Sequence, residues 1–389
     1  MKKGTNRKVI VVAGARPNFI KVASLMQEFK RHKRYFAISL VHTGQHYDFG
    51  MSEVFFQNLE IPEPDIYLGA GSASHAIQTA KIMVAFEKVV LETSPDLVIV
   101  VGDVNSTLAC SLVASKLNVK VAHVEAGLRS FDRTMPEEIN RIVTDSLSDY
   151  LFVSEESGLR NLEREGIESK KVYFVGNVMI DTLLSNMNKL DKSGILKRMA
   201  LESKGKNHEL SAMSSEQLLP KTYAVLTLHR PSNVDSGESL SKIYSIIKSI
   251  SEKIKIIYPI HPRTKKMIAV HGFLKKFESL ANLMMIEPLG YIDFVKLVKE
   301  SKLVLTDSGG IQEETTVLGI PCFTMRKNTE RPVTIIKGTN SIVGNDCSKI
   351  MNGVNNILKG KIRQGKIPEL WDGKTAKRII KILIEDFNG

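Results

Sequence analysis

At 389 residues, 43% apolar and 25% charged, the chain has the composition of a folded globular protein and the length for two domains rather than one core. No apolar run nears the roughly 20 residues of a membrane span, and the early VIVVAGA runs straight into Arg-Pro, which predicts no anchor, no signal peptide and a cytoplasmic location. The net charge of +12 is spread over the N-terminal tail, residues 189–206 and residues 359–366 with no nucleic-acid-binding motif beside it, which argues against nucleic acid and suits an acidic small substrate.

Short β-branched runs alternate with amphipathic helical segments along the whole chain. KVIVVAG, FAISLVH, DLVIVVG, VKVAHVE, DYLFVS and KVYFVG are the predicted strands of the first half, and TYAVLTLH, KIIYPIH, LMMIEP, KLVLTD and PCFTM those of the second. That alternation predicts an α/β fold of two Rossmann-like domains, each a parallel sheet with helices on both faces. Residues 187–221 are polar, punctuated by Gly and Ser, and contain no convincing strand, so the domain junction belongs near them. The expected division is an N-terminal domain over 1–182, joined by a C-terminal helix over 370–389, and a second domain over 183–369. In parallel sheets of this kind ligands lie beyond the carboxyl ends of the strands, and two such sheets facing a cleft would present polar groups from both.

The polar residues at those strand ends are the candidates for chemistry. The first strand runs into Gly14-Ala15-Arg16-Pro17, which carries Arg16 on a tight turn where a guanidinium can meet a diphosphate, with Lys21 one helical turn further on. Asp103 closes DLVIVVGD, Glu125 closes VKVAHVE, and Glu137 opens a helix in TMPEEINR that carries Asn140 and Arg141. Asp103 and Glu137 are open to a simpler role as helix caps. A carboxylate directly behind an apolar strand, as at Glu125, is costly unless hydrogen-bonded or paired, and Arg129 and His123 would be the structural partners of these three carboxylates.

In the second half His229 and Arg230 end TYAVLTLHR, and His261 and Arg263 flank Pro262 after KIIYPI. Ser308, Gly309 and Gly310 sit between a strand and a helix, so several backbone N–H groups there lack partners inside the helix, a natural seat for a phosphate oxygen. Ser308 as a helix cap is the bland alternative. Glu314, six positions on, is near enough to accept hydrogen bonds from ribose hydroxyls, and Arg331 in TERP is a further cation for phosphates. Cys110, Cys322 and Cys347 lack metal-ligand or disulfide spacing and are expected to be reduced, with no metal site. Tyr244 and Lys248 match a Tyr-xxx-Lys pair, but no dinucleotide glycine fingerprint follows the first strand, so both are expected on a helix surface.

GARPNFIK, TGQHYD, VVGDVNST, HVEAGLRS, PEEINR, TLHRPSNVD, EPLGYIDF, TDSGGIQEE and TERP occur in this order. As an ordered set the chain resembles the non-hydrolysing UDP-N-acetylglucosamine 2-epimerases, which have the two-domain GT-B fold. The resemblance implies interconversion of UDP-GlcNAc and UDP-ManNAc by UDP elimination and re-addition through a 2-acetamidoglucal, with no cofactor, in a cytoplasmic homodimer serving polysaccharide biosynthesis. It implies that Asp103, Glu125 and Glu137 are the acid/base and charge-stabilising carboxylates, supported by His229 and Arg141. Arg16, Lys21, Ser308, Gly309, Gly310 and Arg331 would meet the UDP phosphates, Glu314 the ribose, His261 the nucleotide, and the EPLGYIDF loop around Phe294 the uracil.

Two departures bear on substrate. The family's GTRPE is GARPN here and its HRxEN is HRPSN, so Asn18 and Ser232 replace acidic residues. Gln45 and His46 of the segment that binds an activating second substrate are present, but the later Arg-Gln pair is not found in GSASHAIQTA, so weak or absent substrate activation is expected. An epimerase of a related UDP-diacetamido sugar or uronic acid, a hydrolysing epimerase and a GT-B glycosyltransferase remain the alternatives.

Overall fold

The structure, a computed structural model, describes residues 6–45, 58–199 and 219–388, without the side chain of Arg16. The described chain divides into two compact units, Met1–Ser185 with Pro368–Gly389, and Asn186–Ile367.

The first unit is built on seven strands: β1 Arg7–Ala13, β2 Phe36–His42, β3 Ile66–Tyr67, β4 Leu97–Val101, β5 Lys120–Ala126, β6 Tyr150–Val153 and β7 Val172–Phe174. Their order is β3-β2-β1-β4-β5-β6-β7, every pairing is parallel, and the central β4 is buried along its whole length. Burial of both faces is why these strands read as unbroken runs of Val, Ile and Leu rather than as alternating patterns. The second unit repeats the scheme with β8 Tyr223–Thr227, β9 Lys255–Pro259, β10 Leu283–Ile286, β11 Leu303–Thr306, β12 Cys322–Thr324 and β13 Asn340–Ile342, in the order β10-β9-β8-β11-β12-β13, again all parallel. Each sheet therefore reverses its order beside its first strand, and the ends of β1 and β4, and of β8 and β11, flank the crevice where ligands bind in such folds.

The eleven runs predicted as strands all form strands. The sequence reading missed β3 and β13, which are two and three residues long and lie at sheet edges, too short to carry a periodic signal.

The chain's end belongs to the first unit for visible reasons. Asp181 accepts the N–H groups of Thr375 and Ala376 at 3.1 and 2.7 Å, which anchors the start of the helix Thr375–Asn388, and the buried Trp371 donates Nε1–H to the Ser154 carbonyl at 2.9 Å. Ile379, Ile380 and Leu383 of that helix are buried. Lys248 is exposed, but Tyr244 corrects the expectation of a surface residue, because its ring packs against Phe273 and, edge-on at 5.5 Å, against Phe277 in the core of the second unit. The three cysteines are free. No described helix is long and apolar enough to cross a membrane.

Candidate active site

In the first unit the ends of β1, β4 and β5 and the helix Pro136–Leu147 gather five of the predicted residues. Directly after β4 stands Gly102, whose φ of +66° suits glycine. A Cβ there would come within 2.7 Å of Lys21 Nζ and 3.3 Å of Glu125 Oε2, so the glycine also makes room for a pair of side chains. That pair is an ion pair between Lys21 and Glu125, each only 6% exposed. The partner of Glu125 is thus Lys21 on the first helix, and Lys21 stands here as a carboxylate's counter-ion. Glu125 itself has φ of +79° and sits where the β5–β6 register slips between Val124 and Ala126. A bulge of this kind re-aims a side chain, and a non-glycine residue held at such φ marks stored strain.

Asp103 does not cap the following helix, whose N-cap is Val104. Its carboxylate pairs with Arg141, and its backbone carbonyl accepts from Asn140 Nδ2 at 2.9 Å. Arg141 is held from its other side by Glu138, three residues earlier on the same helix, with Nη2 to Oε2 at 2.6 Å. Glu138 also accepts from Ser130 N–H and Phe131 N–H, both at 2.9 Å. Burial would lift its carboxyl, but the Ser130 N–H and the Arg141 guanidinium outweigh that and hold it below the usual carboxylate range. Glu137 lies half-buried in the first turn of the helix, two residues after its N-cap Met135.

Behind this cluster runs a second layer. Asp145, fully buried, bonds His123 Nδ1 at 2.6 Å, Gly127 N–H at 3.0 Å and Arg129 Nη2 at 2.7 Å. His123 Nε2 faces the Gly102 carbonyl at 2.8 Å. Arg129 also grips Glu165 with two bonds. Arg129 and His123, expected beside Glu125, therefore serve Asp145.

In the second unit the candidates cluster at the ends of β8, β9 and β11. Asp307, wholly buried, accepts the N–H of His229 at 3.0 Å, the N–H of Arg230 at 2.9 Å and Asn233 Nδ2 at 3.0 Å, while His229 Nδ1 lies 2.9 Å from it. Burial would raise that carboxyl, but the His229 imidazole, the Arg230 N–H and the Asn233 amide keep it below its ordinary value. An anionic Asp307 fixes the His229 tautomer with hydrogen on Nδ1 and orients a ring that is 40% exposed. The His261 ring lies 6.1 Å from that of His229, and its Nδ1 accepts the Arg263 N–H at the start of the helix Pro262–Val270.

Ser308 stands at the N-cap position of the helix Gly309–Leu318, but its hydroxyl makes no capping bond; its own N–H donates to Thr306 Oγ1 at 3.0 Å. Gly309 and Gly310 form the first turn. A Cβ on Gly309 would sit 2.8 Å from both Arg331 Nη1 and Glu330 Oε1. Arg331 lies buried under that turn, bonded to Glu313 and Glu330 at 2.7 Å each. Phe294 lies in the helix Tyr291–Lys299 rather than in a loop, half-buried against the core.

Glu314 is 3% exposed, and its Oε1 has no hydrogen-bond partner among the described residues. Desolvation, with the negative Glu313 next to it, pushes its carboxyl up to about 8 although the Tyr291 hydroxyl lies nearby.

No group of His, Cys, Asp and Glu able to hold a metal occurs among the described residues. Glu138, Asp145, Asp307, Glu313 and Glu330 were missed by the sequence reading. Asp307 carried the clearest signal, a carboxylate directly after an apolar strand in KLVLTD.

The profile of the UDP-N-acetylglucosamine 2-epimerase family matches residues 27–384. A UDP-N-acetylglucosamine 2-epimerase of Methanocaldococcus jannaschii is 42% identical over 97% of this chain and 98% of its own length. A UDP-2,3-diacetamido-2,3-dideoxy-D-glucuronate 2-epimerase of Pseudomonas aeruginosa is 37% identical over 97% of this chain and 99% of its own. The crystal structure of the Methanocaldococcus jannaschii UDP-GlcNAc 2-epimerase in complex with UDP-GlcNAc and UDP superposes with a TM-score of 0.88, at 41% identity, covering 97% of this chain and 99% of that one. With paired carboxylates at the strand ends of one unit and a glycine turn over a buried arginine in the other, the chain belongs to the UDP-N-acetylglucosamine 2-epimerase family.

Proposed function

We propose that the protein interconverts UDP-GlcNAc and UDP-ManNAc. The observation that carries the reading is the full-length 42% identity to a UDP-N-acetylglucosamine 2-epimerase, joined to carboxylates held at strand ends, each beside a buried cation. In the proposed path the C1–O bond breaks and its electron pair leaves with UDP, while the C2 proton passes to a carboxylate of the first unit. Proton and UDP then add back to the resulting 2-acetamidoglucal, the proton on the opposite face. Asp103, Glu125 and Glu137 serve this proton chemistry, with Lys21 paired to Glu125 and Arg141 to Asp103. The second unit takes the nucleotide. The Ser308-Gly309-Gly310 turn meets phosphate, Glu314 the ribose, and His229 and His261 complete the set. Arg331 supports the turn from beneath.

Incubating the purified protein with UDP-GlcNAc alone in deuterated water, followed by proton NMR, tests the reading. UDP-ManNAc with deuterium at C2 is the expected product. Unchanged UDP-GlcNAc sinks the proposal, free ManNAc with UDP points to hydrolysis, and dependence on an added acceptor points to glycosyl transfer. A UDP-diacetamido-uronic acid belongs in the same panel, because of the 37% identical Pseudomonas aeruginosa relative and the neutral Asn18 and Ser232.

The proposed assembly is a cytoplasmic homodimer supplying polysaccharide synthesis. Its docking face is the helix His75–Thr93, where Ile77, Val84 and Leu91 are exposed at intervals of seven. Two copies crossing antiparallel about Val84 would set Ile77 against Leu91 and Lys81 against Glu87, so that apolar and charged positions both match across the two-fold axis.

A further inference from the structure

Asp145 holds both ends of the strained segment that carries Glu125. One carboxylate oxygen meets His123, two residues before Glu125, and the other meets the N–H of Gly127, two residues after it, at 2.6 and 3.0 Å. Between these anchors lie the φ of +79° at Glu125 and the slipped register of β5 against β6. Arg129 ties down the second oxygen at 2.7 Å, so the carboxylate has a defined orientation in a fully buried site. The His123 ring carries the restraint further. Its Nε2 faces a carbonyl, which can only accept, and its Nδ1 faces a carboxylate held ionised, against burial, by His123 and Arg129. The ring therefore links the Gly102 carbonyl, the peptide that leads directly into Asp103, to the Asp145 carboxylate.

Asp145 stands on the helix Pro136–Leu147, four residues after the Arg141 that pairs with Asp103. One helix therefore fixes Asp103 through Arg141 on one turn and the backbone on both sides of Glu125 through Asp145 on the next. We propose that Asp145 is a positioning residue for the epimerisation: by clamping His123 and Gly127 it holds the bulge that aims Glu125 at Lys21 and sets the Gly102 peptide before Asp103. A bulge released from these anchors relaxes toward ordinary φ and turns the Glu125 carboxylate away, and misplacement by about 1 Å is enough to lower a rate on the order of a hundredfold. The side chain touches no substrate in this scheme. Nucleotide affinity, which belongs to the second unit, is untouched.

The proposal rests on the epimerase reading, so the parent protein must first convert UDP-GlcNAc; if it does not, that reading has failed and not the clamp. Asp145→Ala is then compared with Asp145→Asn, which keeps the shape and one acceptor for the Gly127 N–H. The expected result for Asp145→Ala is a kcat and a C2 deuterium-exchange rate at least tenfold lower, with KM and UDP affinity by calorimetry within twofold. Asp145→Asn recovers a substantial part of that loss. Should Asp145→Ala fail to fold by circular dichroism, Asp145→Asn alone carries the test, with a threefold or larger fall in kcat at unchanged UDP affinity. A folded Asp145→Ala with kcat within twofold of the parent overturns the proposal. So does a loss of UDP affinity that parallels the loss of kcat, which would mark general damage.

Discussion

The buried Glu314 carboxyl makes a prediction that couples stability to binding. Its pKa is pushed up from 4.5 to about 8 by desolvation and by Glu313, so at neutral pH the folded, unliganded protein holds a proton there that the unfolded chain releases. A folded-state pKa above the unfolded one contributes stability that is complete below pH 4.5 and is lost as pH rises toward 8. By linkage the loss relative to a group that never ionises is about 1 kcal/mol at pH 5 and about 4 kcal/mol at pH 7.5. Glu314→Gln removes the titration while keeping the shape. In urea unfolding of the second unit's transition, the variant's stability relative to the parent should therefore improve by about 3 kcal/mol between pH 5 and pH 7.5. Binding should run the other way. If the ribose is met by the carboxylate, only about a tenth of the parent is competent at pH 7, and UDP affinity should rise close to eightfold between pH 7 and pH 8.5. Calorimetry at pH 7 should show nearly one proton released per UDP bound, and Glu314→Gln should bind more weakly with no such slope. A stability difference that does not move with pH, or a UDP affinity equally flat in parent and variant, would refute the reasoning.

Two further outcomes are expected. His42 is stacked between Phe19 and Tyr67, with ring centroids at 5.2 and 5.0 Å, and burial lowers its pKa from 6.5 to about 4. The folded first unit thus resists a proton that the unfolded chain accepts below pH 6.5. About 3 kcal/mol of stability should disappear between pH 6.5 and pH 4, and His42→Phe should remove that slope in acid unfolding followed by circular dichroism. Val84→Glu places like charges at the centre of the proposed two-fold contact, so light scattering should report monomers for the variant and dimers for the parent. A dimeric variant would move the interface elsewhere.

The sheets were legible because their strands are buried on both faces, which leaves unbroken apolar runs such as LVIVV and YAVLT in the sequence. The placement of Asp103, Glu125, His229 and the Ser308 turn followed from the same rule, since each stands directly after such a run. What each residue touches was not legible. Glu125 meets Lys21, 104 positions away, and Arg141 meets Asp103, 38 positions away. Nothing local separates these pairings from the expected partners Arg129 and His123. Arg331 shows the same limit from the other direction: a loop arginine in a polar sequence reads as reaching outward, and only the packed Glu313 and Glu330 reveal that it is drawn inward. Glu314 hid its burial because a helix start rich in Gln and Glu looks solvated, while the buried Tyr291 of a neighbouring helix stands against it.

Asn18 follows from the way the buried charges balance. Its Oδ1 accepts the N–H groups of Gly14 and Ala15 at 3.1 and 3.0 Å, and its Nδ2 donates to the Val101 carbonyl at 3.0 Å, so one amide ties the turn after β1 to the end of β4. A carboxylate in its place could accept the first two bonds but has no hydrogen for the third, and would leave a buried carbonyl facing a negative oxygen. It would also stand close to Lys21, since Asn18 Nδ2 and Lys21 Nζ both lie within 3.6 Å of the point a Cβ on Gly102 would occupy. Lys21 is paired with Glu125, and a second carboxylate beside it would divide its attraction. With a neutral amide at position 18 the ammonium is committed to Glu125, and the strand-end turn is held by hydrogen bonds that draw on no charge.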